Sequence, residues 1–225
     1  MMKLSKEKKR MPVRVATPLM EQPQTDSLQS LKELLEKEET LADLHFAKGT
    51  EEYINRPYRS LKNCTFTGKI FLECQLKSAQ LSDVRFENCD LSNVSFADSS
   101  LHRVEFDSCK LVGTNLSETT LNHVSMTHCS GMYINLSMSK MTQVSFRDCD
   151  FRNGSLNDSR LSLVEFPGCM LLETDFSHTS LRGIDLRSSR ISGIQLTIAD
   201  LRGAIISSLQ AMDLLPLLGV VIEDC

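Results

Sequence analysis

The sequence predicts an all-β solenoid, a four-sided β-helix of about seven to eight coils, with a short N-terminal helix and a C-terminal helix–strand cap. Three observations predict it. Large apolar residues recur every five positions from Leu61 to Ile206, and 29 of those 30 positions are Leu, Ile, Phe or Met, with only Gly131 departing. Neither a helix nor a flat strand has that period. Two residues before each centre sits a small residue, and the kind of small residue repeats every 20: Cys89, Cys109, Cys129, Cys149 and Cys169, then Val84, Val104, Val124, Val144 and Val164. Four fives make one coil, so residues 20 apart stack on each other at a strand spacing of about 4.8 Å.

Residues 1–25 carry Lys3, Lys6, Lys8, Lys9, Arg10 and Arg14 with three prolines before Gln24 and no periodicity, which predicts a flexible basic arm. Such an arm can touch an anionic surface or simply be solvated. Residues 26–60 open with a helix over Asp26–Lys37, where Leu28, Leu31, Leu34 and Leu35 form one stripe. Asp26 or Ser27 can cap its start, and the helix is expected to cover the first coil of the solenoid. Residues 61–206 form the solenoid itself.

Residues 207–225 leave the five-residue register. Ser207 or Ser208 can cap a short helix, Pro216 should end or kink it, Gly219 can close it, and Val220, Val221 and Ile222 read as a strand. The segment is apolar on all sides, so it either seals the rod or buries itself in a partner.

Composition narrows the function. The net charge of −4 is small, Trp is absent, and the N-terminus has no apolar h-region of a secretory signal. A cytoplasmic, reducing location is expected, with the cysteines as small core fillers rather than disulfides or metal ligands. The five histidines show no metal-ligand spacing and no phosphate loop is present, so neither enzyme chemistry nor a cofactor is expected.

Charge is sorted by side. The side of Phe96, Leu116, Leu136, Leu156 and Phe176 carries Asp98, Glu118, Asp158 and Asp175 with no Lys or Arg. The opposite side, Phe86 to Leu186, carries Glu87, Glu105, Asp107, Asp148, Glu165 and Asp185 against Arg85, Arg147 and Arg187. Between them, the side of Leu81 to Leu201 is basic, with Arg103, Lys140, Arg160, Arg182 and Arg202. Such segregation can steer a charged partner or serve solubility alone.

The units NCDLSN, GTNLSE, ETDFSH, GIDLRS and IADLRG resemble the pentapeptide-repeat family, whose loose consensus is A-(D/N)-L-x-x. That resemblance implies a right-handed quadrilateral β-helix with a girth close to that of duplex DNA. The ending DLRGAIISSLQAMDLLPLLGVVI is similar to that of the Qnr and MfpA quinolone-resistance type. It implies a head-to-head homodimer built on Leu209, Met212, Leu214, Leu215, Leu218, Val220 and Ile222. It also implies a DNA-mimicking rod that binds a type II topoisomerase (DNA gyrase or topoisomerase IV) and protects it from quinolones or toxins. The phosphate mimics would be Asp98, Glu118, Asp158, Asp175, Glu87, Glu105, Asp107 and Glu165, with no direct nucleic-acid or membrane contact. The alternative is a generic interaction scaffold or secreted effector.

Overall fold

A computed structural model describes residues 13–20 and 24–220. The chain winds as a parallel β-solenoid whose ladder partners stay 20 residues apart, from Thr40↔Ser60 to Asp185↔Ile205. The strands Ser60–Thr67, Gln80–Glu87, Ser100–Asp107, Thr120–Thr127, Lys140–Arg147 and Arg160–Glu165 stack in one sheet. The first five each span two sides of a coil, as Gln80–Glu87 contains both the Leu81 and Phe86 centres, while Arg160–Glu165 stops before Phe166. The other two sides are held by single bridges such as Asp90↔Lys110 and Ser95↔Asn115.

The five-residue centres fill the interior, where Leu81, Phe86, Leu91 and Phe96 are all essentially inaccessible. Phe46, Phe66, Phe86 and Phe106 stack with ring centroids 4.9, 4.9 and 5.0 Å apart, the spacing of the coils themselves. Gly131 leaves room for a neighbour: a Cβ there would lie 2.8 Å from Phe151 Cε1. The ring of Phe151, one coil further, occupies the volume that a leucine at 131 would have taken.

The small inward position has a chemical role as well as a size limit. Cys109 Sγ donates to Phe86 O at 3.4 Å, and Thr114 Oγ1 to Leu91 O at 2.8 Å. Ser139 Oγ donates to Leu116 O at 2.9 Å. In each case the acceptor is the carbonyl of the large centre 23 residues back, so a thiol or hydroxyl ties each coil to the one before it, and Leu91 O accepts from Val94 N at 3.1 Å as well. The seven ladder and entrance cysteines are buried free thiols. Burial pushes the Cys64 thiol up to about 11, so it stays protonated at neutral pH.

Most corners share one backbone device. From Asn63 to Gly183 the residue two after each centre is left-handed, as at Asp83 (φ 57), Asn88 (φ 53), Asn93 (φ 60) and Asp98 (φ 58), and the pattern repeats every five; Ser188 lies outside it. Among the described residues no Val, Ile or Thr occurs at positive φ, as a branched Cβ demands. Where the register brings Ile198 to that position, the corner is replaced by a helical turn, Ile198–Leu201.

The solenoid reaches one coil further back than Leu61. Leu41 pairs with Leu61 and Phe46 with Phe66, and the third centre of this first coil is Glu51, opposite Phe71. A charged residue in a centre position hides the coil from a hydrophobic count. Glu51 is 2% exposed and bonds Lys69 Nζ at 2.7 Å. Its carboxylate also accepts from Leu31 N at 3.0 Å and Lys32 N at 3.2 Å. It thereby satisfies the first two N–H groups of helix α1 (Leu31–Lys37), while the third, Glu33 N, is capped by Ser30 Oγ at 3.2 Å.

Helix α1 is therefore shorter than the expected Asp26–Lys37, and its cap is Ser30, not Asp26 or Ser27. Thr25 and Asp26 instead pair in parallel with Leu44 and His45 and prolong the sheet. Leu28 falls out of the stripe, fully exposed, while Leu31 and Leu35 plug the rod.

The flexible arm expected over residues 1–25 is also corrected in part. Residues 13–20 lie along the rod: Val13 N donates to Glu165 Oε2 (3.2 Å), Ala16 N to His123 Nδ1 (3.0 Å) and Leu19 N to Asp83 Oδ1 (2.8 Å). Arg14 O accepts from Gln143 Nε2 at 3.0 Å, and Pro18 is buried. Extended backbone satisfied by side chains of one corner needs no periodicity of its own, which is why the sequence does not advertise it. Residues 1–12 lie outside the described residues.

At the far end, helix α3 (Ser208–Leu214), the next after the α2 turn of Ile198–Leu201, runs into a 3₁₀ turn over Leu215–Leu218 that contains Pro216, and Gly219 closes it at φ 67. The expected strand lies outside the described residues except for Val220, which is not in a strand.

Candidate partner-binding edges

Because the corner residues are left-handed, their side chains stand at the edges of the rod, one per coil. Asp98 (φ 58), Glu118 (φ 59) and Asp158 (φ 55) belong to one such edge, aligned with Ser78, Met138 and His178. All three are exposed. Asp98 accepts from Ser78 Oγ at 3.0 Å, and Asp158 lies 3.3 Å from His178 Nδ1. Asp175, on the same side, accepts from Ser177 N at 2.8 Å. Among the described residues, none of these four carboxylates has a Lys or Arg ion-pair partner.

The second predicted acidic side is different. Arg85 reaches Glu105 at 2.9 Å and Glu87 at 3.6 Å. Asp107 lies 3.9 Å from His128, which also faces Asp148 at 3.8 Å. Glu165 is shared by Ser145 Oγ at 2.8 Å, Arg147 at 3.6 Å and the Val13 N–H. Glu87, Glu105 and Glu165 are thus compensated in place. Sequence sorting places the acids on sides but does not show which of them are neutralised one coil away.

Between these sides, Asp83 is 5% exposed and takes a bidentate contact from Arg103, with Nη2–Oδ2 at 2.7 Å. Burial pushes its carboxyl up. Hydrogen bonds from Arg103, the Leu19 N–H and Ser82 outweigh that and hold it below the usual carboxylate range. Sequence reasoning missed both this pair and the strap of residues 13–20; the only signal is an acid–base pair 20 residues apart.

The C-terminal residues divide. Leu214 is buried against the rod and Leu215 is half-buried, so these two serve the cap. Gln210 anchors it: its Nε2 donates to Leu186 O at 2.7 Å and Ser189 O at 2.8 Å, and its Oε1 accepts from Ser207 N at 2.8 Å. Leu209 (82% exposed), Met212, Leu218 and Val220 face away from the rod. Ile222 lies outside the described residues.

Among the described residues no group of three or more His, Cys, Asp or Glu side chains could hold a metal ion. No helix there is long and apolar enough to cross a membrane. The geometry defines a class, a β-solenoid of stacked 20-residue coils that presents side chains along its edges and at its end. The chain belongs to the pentapeptide-repeat family: the model of the pentapeptide repeat region matches residues 99–176, and that of eight-copy pentapeptide repeats matches residues 60–93 and 168–203.

Among curated proteins none matches the sequence. Solved structures similar to the chain include HetL, a pentapeptide repeat protein involved in heterocyst differentiation regulation in the cyanobacterium Nostoc. It is 17% identical over 75% of this chain and 90% of that one, with a TM-score of 0.43. QnrB1 after trypsin treatment, a plasmid-mediated fluoroquinolone resistance protein, is 20% identical over 82% and 90%, with a TM-score of 0.41. A thylakoid-lumen protein of Arabidopsis thaliana is 19% identical over 44% and 66%, with a TM-score of 0.32. Family membership rests on the repeat models.

Proposed function

We propose that the protein acts by binding, as a dimeric DNA-mimicking rod that occupies the DNA groove of a type II topoisomerase and protects it from quinolones or related toxins. The observation that carries this reading is the edge of Asp98, Glu118 and Asp158, exposed carboxylates one and two coils apart without Lys or Arg partners, with the half-buried Asp175 beside it. The Qnr-like ending supports it, as do the outward apolar residues Leu209, Met212, Leu218 and Val220, which fit a second copy of the chain.

The mimicry would be confined to that edge. Residues 61–206 hold 16 acids and 14 bases, a net −2, whereas a duplex of the same length carries about one charge per 1.7 Å. This weak overall charge favours the second reading, a general interaction scaffold. The test is gyrase supercoiling with a fluoroquinolone across a concentration series of the protein. Restored supercoiling, lost when Asp98, Glu118 and Asp158 are all changed to Lys, supports topoisomerase protection; no effect at any concentration leaves the scaffold. Binding should also weaken as salt rises.

A further inference from the structure

We propose that the corner formed by Asp83, His123 and Gln143, with Glu165 beside it, is a docking strip for an extended, proline-containing peptide. Residues 13–20 occupy it in cis, and a segment of another protein with the same spacing can take their place.

The argument is one of register. Val13, Ala16 and Leu19 donate their N–H groups at three-residue intervals, to Glu165, His123 and Asp83. His123 and Asp83 are two coils apart, about 9.6 Å at strand spacing. Three residues of extended polyproline-type backbone rise about 9.3 Å. The strip and an extended chain are therefore commensurate between these two contacts, three residues to two coils, and the next step reaches Glu165, two coils and two residues beyond His123.

The four strap hydrogen bonds use main-chain atoms, including the Arg14 carbonyl that accepts from Gln143. Such contacts read the spacing of a backbone and not the identity of its side chains. Selectivity comes from one place. Pro18, which has no N–H, falls out of phase with the donors and is the one residue of the strap that is buried. Arg14, Ala16, Thr17 and Leu19 stay exposed. A foreign segment with N–H groups at i, i+3 and i+6 and proline at i+5 would make the same contacts.

The experiment uses the full chain and a fluorescein-labelled synthetic peptide of residues 13–20, followed by fluorescence anisotropy. A variant carrying Val13→Pro, Ala16→Pro and Leu19→Pro loses its cis donors, and it should bind the peptide at least about tenfold more tightly than the unaltered chain. N-methylation of the peptide at the Val13, Ala16 or Leu19 position should weaken binding about tenfold, and at the Thr17 position should leave it unchanged. Asp83→Ala and Glu165→Ala in the rod should weaken it as well. The peptide series does not depend on how those two variants fold. No saturable binding to the triple-proline chain at about 1 mM peptide would overturn the proposal. Equal affinity at every N-methylated position would overturn it too.

Discussion

The two ends of the rod face the same problem and solve it differently. At the N-terminal end, α1 inserts Leu31 and Leu35, both 0% exposed, and its N-terminus is tied to the buried Glu51–Lys69 pair. At the C-terminal end, α3 inserts only Leu214 and ties itself down through Gln210. It leaves Leu209, Met212 and Leu218 in solvent. One end is finished by its own chain. At the other, among the described residues, Leu209, Met212 and Leu218 stay exposed, and the proposed dimer rests on them.

Four sets of substitutions sharpen that contrast. The largest effect is expected from Glu51→Ala, which leaves Lys69 buried without its carboxylate and removes the acceptor of two α1 N–H groups. A loss of about 3–5 kcal/mol in urea unfolding is expected. A loss below about 1 kcal/mol would show that the N-terminal plug rests on leucine packing alone. Next, Gln210→Ala should cost about 1–3 kcal/mol, because Ser189 O loses its donor and Leu186 O keeps only the Ser189 N–H. If it matches Glu51→Ala in size, the two ends are equally anchored and the contrast fails.

Between the ends, Gly131→Leu should cost about 1–3 kcal/mol by colliding with Phe151, and adding Phe151→Leu should recover most of it. Thermal unfolding of the single and double variants measures this, and it calibrates the interior against both caps. The smallest effect on stability is expected from Leu209→Ser with Met212→Ser, within about 0.5 kcal/mol, since both are exposed. The same pair should shift a dimer to monomer in sedimentation. An unchanged assembly would remove these residues from any interface.

The solenoid was legible because its interior is a one-dimensional code. A core position every five residues and a column every 20 leave their mark directly in the chain, and the capping pattern of Ser207, Pro216 and Gly219 is local. The rest depends on long-range pairing. Glu51 looks like a surface residue until α1 and Lys69 are placed around it. Leu28 matches a helical stripe, but Thr25 and Asp26 next to it prefer the open edge of the first coil. The acidic sides can be read by counting; that Glu105 is neutralised by Arg85 while Asp98 has only Ser78 cannot. A rule that the chain does carry is the absence of branched residues at the left-handed corners, and Ile198, its exception in register, marks where a corner becomes a helix.

The strap also orders events in time. Within the rod, hydrogen-bonded partners lie 20 residues apart, so coils can close one after another as the chain lengthens, with little loop entropy at any step. The Val13–Glu165 contact joins residues 152 apart, across coils that must already be stacked. During synthesis the N-terminal segment leaves the ribosome first, can contact Asp83, His123 and Gln143 as each is made, and is fully seated only when the coil of Glu165 has been added. A fully seated strap is thus a mark of coils stacked as far as Glu165, and protection of the Val13 amide from hydrogen exchange would appear after that of Leu19 and Ala16 as the protein matures.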